Sequence, residues 1–243
     1  MLGLLSLLLV GAAGAGLWWA VRSEAGSAWV VARLPGVEVT APRGVLLGDF
    51  ETARVVVNLS GSDQVVLTGL GWRGLRLARS AASGLWARVS FAELYASRID
   101  VLLAPSDATM TAPTRLHLPV QVDIEVLQIG ALHAGALGDN PLRDVRARVQ
   151  LGAADGAEHR IDALSAAWDR LQARGAARIA THVPFALDVK LDVSQAQAAP
   201  AAPPAAASIG LTDWQATLAL AGPLDAPTLN ACTLAFRDRK SVV

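Results

Sequence analysis

From Leu116 to Val126 the chain alternates without interruption. Leu116, Leu118, Val120, Val122, Ile124 and Val126 take every second position, and His117, Pro119, Gln121, Asp123 and Glu125 fill the places between. Successive side chains of a strand point to opposite faces, so this run predicts a strand with one dry and one wet face. A helix would scatter the same apolar residues around its circumference. The phase then slips by one at Leu127 and Ile129, which predicts a bulge or a break at that point.

The pattern recurs along the chain. Phe185, Leu187, Val189, Leu191 and Val193 alternate with Ala186, Asp188, Lys190, Asp192 and Ser194. Val145, Ala147, Val149 and Leu151 do so with arginines and a glutamine, and Trp214, Ala216, Leu218 and Leu220 with Gln215, Thr217 and Ala219. Strand-like segments also cover 54–59, 65–70, 73–77, 85–91 and 98–103, separated by turn formers such as Ser60-Gly61-Ser62-Asp63 and Asp139-Asn140-Pro141. The stretch 163–179 fits a helical face through Leu164, Trp168 and Leu171, but Gly175 and its neighbours favour two strands. An Ala/Pro-rich loop is expected over 195–209, with strands resuming over 210–230. Beyond Asn230 the alternation collapses, so 231–243 reads as a truncated or non-native end.

Such strands build a mainly β fold with one polar and one apolar sheet face. Alternation leaves two arrangements open. The dry side packs into a closed sandwich core, or it lines an open groove.

The first segment is of another kind. No charged residue occurs from Leu2 to Val21, and the run ends in Trp18 and Trp19 with Arg22 just beyond. Twenty residues at about 1.5 Å each reach about 30 Å, the thickness of a bilayer core. Indoles favour the membrane interface. Residues 1–22 therefore read as a transmembrane anchor. A cleaved signal peptide, with Ala13-Gly14-Ala15 as its cleavage site, is the competing reading. Residues 23–36, containing Trp29 and stopped by Pro35-Gly36, read as an interfacial connector helix leading to a β-rich domain over 37–194. Trp18, Trp19, Arg22 and Trp29 are the expected interface residues.

Chemistry-bearing motifs are missing. The 21 basic residues balance the 21 acidic ones, which leaves no surplus to attract nucleic acid. One cysteine, Cys232, excludes an internal disulfide framework. The four histidines, His117, His133, His159 and His182, lack metal-ligand spacing. Gly69-Leu70-Gly71-Trp72-Arg73-Gly74 matches the dinucleotide fingerprint, but Ser80 to Gly84 interrupts the helix it would have to open. No catalytic residue, cofactor or metal site is expected, and the chain does not read as an enzyme.

The order of features resembles a known family. Ala25-Gly26-Ser27-Ala28-Trp29 leads to Pro35-Gly36-Val37, and Gly44-Val45-Leu46-Leu47-Gly48 opens the next strand. This is similar to the N-terminal part of the inner-membrane subunit of the bacterial translocation and assembly module, TamB, which belongs with the AsmA-like and bridge-like lipid transfer proteins. The segments 170–179 and 185–193 resemble its strand repeats. The resemblance implies an elongated, curled, antiparallel-rich sheet whose groove is apolar. It further implies a periplasmic location, phospholipid acyl chains as ligand, and an outer-membrane barrel as partner. The expected groove residues are Val120, Val122, Ile124, Phe185, Leu187, Val189 and Leu191. Family members are several times longer than this chain.

Overall fold

A computed structural model describes residues 16, 19–59, 63–81, 84–103, 115–195, 214–224 and 226–236. Most of the expected anchor, including Trp18, and the loop residues 196–209 lie outside them. No helix among the described residues is long and apolar enough to cross a membrane.

The chain is mainly β. A short helix, α1 (Glu24–Val31), precedes strands β1 (Val37–Thr40), β2 (Arg43–Gly44), β3 (Phe50–Asn58), β4 (Gln64–Arg73) and β5 (Arg76–Arg79). These are followed by β6 (Ala87–Leu102), β7 (Val120–Ala134), β8 (Leu142–Gly152) and β9 (Glu158–Trp168). The last are β10 (Leu171–Ala180), β11 (Ala186–Gln195), β12 (Trp214–Pro223) and β13 (Thr228–Phe236). All belong to one sheet, ordered β1-β3-β4-β6-β7-β8-β9-β10-β11-β12-β13, with β2 paired to β3 and β5 to β6. It is curled but unclosed. Neighbours are antiparallel except β6 and β7, which run parallel. The described strands thus form one sheet, not the two facing sheets of a sandwich.

Several boundaries differ from the sequence reading. Segments 85–91 and 98–103 are parts of one strand, β6, whose alternation breaks because its apolar phase shifts between Phe91 and Leu94. Segment 73–77 is split at Gly74, where φ is +62°. β5 nevertheless continues along β6 in the register of β4 (Arg73↔Glu93, Arg76↔Ser90). β7 starts at Val120 rather than Leu116. Pro119 has no N–H for a ladder, and the Leu116 N–H goes to the Thr181 carbonyl at 3.0 Å. Phe185 precedes β11 with φ of +51° and is buried. The alternation lost after Asn230 is also explained. Leu220 pairs with Leu229 while Ala219 pairs with Ala231, so Asn230 is an extra residue and β13 continues to Phe236.

The hairpin expected within 163–179 is present as β9 and β10. The phase slip after Ile124 is likewise a register shift. A step of three residues in β7 (Ile124 to Leu127) spans a step of two in β8 (Val149 to Ala147). β6 matches it, because Phe91 lies opposite Ile124 and Leu94 opposite Leu127. In β9, Ile161 and Leu164 lie opposite Ala177 and Gly175, again a step of three against a step of two, with Ala163 at φ +51°. Bulges bend the strands that carry them. Bulges at one level of neighbouring strands fold the sheet along a line crossing those strands. The apolar side of this curl forms the trough.

Candidate functional site

The alternating residues meet because the register brings them together. Directly opposed residues share a face. Phe91 (β6) faces Ile124 (β7), which faces Val149 (β8), which faces Ile161 (β9). Ile161 faces Ala177 (β10), then come Val189 (β11), Leu220 (β12) and Leu229 (β13). This apolar row crosses eight strands without a polar residue, a span of about 34 Å at the usual strand spacing. A second row runs Leu164, Gly175, Leu191, Leu218 and Cys232. Toward β3, the trough side continues as Leu94 opposite Trp72 and Trp72 opposite Phe50. The Phe50 and Trp72 rings stack at 4.5 Å, and Phe91 stands edge-on to Trp72 at 6.2 Å.

The two ends of the trough differ. At β6–β9 the bend is tight enough that Ile124, Ala147 and Val149 form a buried cluster, packed by Phe91, Leu94, Leu127, Leu151, Ile161 and Leu164. Toward β13 the same face opens. Val189, Leu191, Leu218 and Leu220 are half-buried, and Leu229 and Leu234 are 56% and 54% exposed.

The expected groove residues divide accordingly. Val122 and Ile124 lie in the tight part, and Val120 opens β7 opposite Ala87. Leu187, Val189 and Leu191 share one face of β11, opposite Ile179, Ala177 and Gly175. Phe185 is buried at the strand end, outside the β11 ladder. Sequence reading missed Phe91, Leu94, Ile161 and Leu164. Their signal was present as an apolar spacing of three at Phe91/Leu94, Ile124/Leu127 and Ile161/Leu164, which a strict period of two discards. Among the expected interface residues, Trp19 and Trp29 are 60% and 55% exposed, and Arg22 is exposed.

The opposite face is polar and carries ion pairs. Arg88 Nε donates to the buried Asp123 carboxylate at 2.6 Å, Arg160 pairs with Glu158, and Arg73 lies 3.4 Å from Glu93. Gly69 and Gly71, taken from the apparent dinucleotide fingerprint, are strand residues under Ser97 and Tyr95. A Cβ on Gly71 would stand 2.4 Å from the Tyr95 hydroxyl. Among the charged residues that line the open clefts around Tyr95, of about 220 to 370 Å³, Arg73 and Glu93 pair with each other.

Three histidines converge at one end of the strands, which their spacing concealed. The His159 ring accepts the Gly152 N–H at 3.0 Å and meets the Leu116 carbonyl at 2.7 Å. His117 and His182 stand 6.3 Å apart. No group of His, Cys, Asp or Glu among the described residues could hold a metal ion.

Among the described residues, one carboxylate, Asp100, is shifted. The Arg98 guanidinium, bound to both Asp100 oxygens at 2.8 and 2.9 Å, holds that carboxyl below its usual range, aided by His133 and Arg54. A carboxylate lowered by folding stabilises above its unfolded pKa and loses that contribution as pH falls through the folded value. The difference in Tm between the native chain and Asp100→Asn should therefore shrink steadily on acidification below the normal carboxylate range. Parallel thermal melts across pH check this. A gap that is constant with pH would contradict the pairing.

Fold and face together define a single-sheet β protein with an open apolar trough. No protein-family model, curated protein or solved structure matches the chain.

Proposed function

We propose that this chain is an inner-membrane-anchored periplasmic protein of the TamB type. Its trough shields phospholipid acyl chains moving between the inner and outer membranes, and/or it serves outer-membrane protein assembly through a barrel partner. The observation that carries this reading is the apolar row from Phe91 to Leu229, whose part on β10 to β13, from Ala177 to Leu229, stays open. An acyl chain gains about 0.8 kcal/mol for each methylene it buries and needs no specific polar partner along its length. A continuous dry surface without a catalytic constellation suits that ligand. The uncharged run from Leu2 to Val21 supplies the anchor.

Adjacent residues of β11 provide the test, because Lys190 and Leu191 point to opposite faces. A benzophenone side chain at Leu191 should capture phospholipid in membranes, whereas the same group at Lys190 should not. The double variant Val189→Asp/Leu191→Asp should then lose co-purifying phospholipid while keeping its circular dichroism melt, since both sites are half-buried. Equal capture from the two positions, or undiminished lipid in the double variant, would refute the trough as a lipid path.

A further inference from the structure

The connector is more than a tether. Trp19 to Arg22 are helical, and the Ser23 N–H closes that turn on the Trp19 carbonyl at 2.9 Å. Ser23 then takes extended dihedrals (φ −115°, ψ 150°) and caps α1, its hydroxyl accepting the Gly26 N–H at 3.1 Å. The chain folds back so tightly that a Cβ on Gly26 would lie 2.4 Å from Ala20 Cα and 2.6 Å from the Ala20 carbonyl oxygen. Ser27, fully buried, donates its hydroxyl to the Ala20 carbonyl and accepts the Leu46 N–H at 3.0 Å. Leu47 N–H reaches the Val21 carbonyl at 3.0 Å, and Glu24 Oε1 accepts the Gly44 N–H at 3.4 Å. The elbow is thus bolted to the turn before β3. Residues 19–22 are thereby held against the turn that precedes β3.

The outer side of this elbow is bare. Trp29 is 55% exposed, and the Arg33 guanidinium lies 4.0 Å from its ring centre while donating to the Trp29 carbonyl at 3.3 Å. Trp19 is 60% exposed on the preceding turn. Amphipathic indoles favour headgroup depth, and an arginine beside them complements phosphate. We propose that this elbow is a docking surface for a bilayer containing anionic phospholipid, with Trp29 at headgroup depth and Arg33 against a phosphate. Gly26 and Ser27 set the angle at which the first strands rise from that surface. The proposal rests on the anchored reading above, because the uncharged segment from Leu2 enters the elbow directly.

The test uses the full chain in phosphatidylcholine vesicles with and without phosphatidylglycerol, their acyl chains brominated to quench indole fluorescence. Part of the quenching should vanish in Trp29→Phe. In Arg33→Gln, the extra quenching that phosphatidylglycerol brings should fall severalfold. Gly26→Val, which forces the elbow open, should reduce the Trp29 contribution while hydrogen exchange in β6 to β9 stays protected. A chain that remains embedded after an alkaline carbonate wash, with quenching identical in the native protein and Trp29→Phe, overturns the docking surface alone. A chain that the wash strips from the vesicles overturns the anchored reading and the docking surface together.

Discussion

Replacing Ile124 with Asp should unfold the sheet rather than merely empty the trough. Ile124 keeps only 8% of its surface exposed and packs among Phe91, Leu94, Leu127, Val149 and Ile161, where β6 to β9 bend. Losing its side chain costs about 2–5 kcal/mol in transfer and cavity terms. A carboxyl left there without a partner adds about 1–3 kcal/mol of desolvation even when protonated. The sum is comparable to the whole stability of an ordinary domain, about 5–15 kcal/mol. In a chain of this size, each kcal/mol moves Tm by about 2–4 °C. The variant should melt at least about 6 °C lower or show no cooperative transition, with Ile124→Val as the mild control. A native-like melt for Ile124→Asp would mean that this part of the face is open to water. The contrast with Leu191→Asp separates the two ends of the trough. One end is a core that holds the curl, and the other is surface free to meet a ligand.

Gly175→Val should be nearly as damaging, for a different reason. A Cβ at this position would stand 2.0 Å from the Lys190 carbonyl oxygen and 2.9 Å from Leu191 Cδ2. No side-chain rotation relieves a clash with backbone, so β10 and β11 must separate or slip. A slip of one residue would turn Leu187, Val189 and Leu191 to the wet face and bring Asp188, Lys190 and Asp192 into the trough. Hydrogen exchange should therefore show lost protection across 171–195, including amides far from the substitution. Protection confined to its native pattern would show that the strand accommodates the added side chain.

These sites show how unevenly the fold was legible. The alternation in 120–124 and 187–193 identified strands and their dry residues, because a period of two has no helical counterpart, but Val126, expected on the dry face, lies past the bulge opposite Glu93 and is 42% exposed. The slip at Leu127 announced the bulge beside Ile124. Gly69 and Gly71 of the glycine-rich stretch are strand residues packed under Ser97 and Tyr95 and open no helix. Other features were hidden by the same logic. β6 looked like two segments because its apolar phase shifts in mid-strand, and β13 looked like a failing end because Asn230 is bulged. The meeting of His117, His159 and His182 at one strand end left no mark on their spacing, since strand ends far apart in sequence become neighbours only when the sheet is paired.

Local pattern by itself determined that the chain is mainly strand, which face is dry where the alternation is regular, and that an uncharged apolar run precedes the strands. Those properties follow from side-chain chemistry and a two-residue repeat within single segments. Tertiary structure decided that the dry faces join into one row, that the sheet curls without closing, and which part of the row is core and which is open. It also decided that Gly26 and Ser27 lock the connector into an elbow. Register, matched bulges and backbone contacts across distant segments set these outcomes, and alternation within any one strand is equally compatible with a closed sandwich.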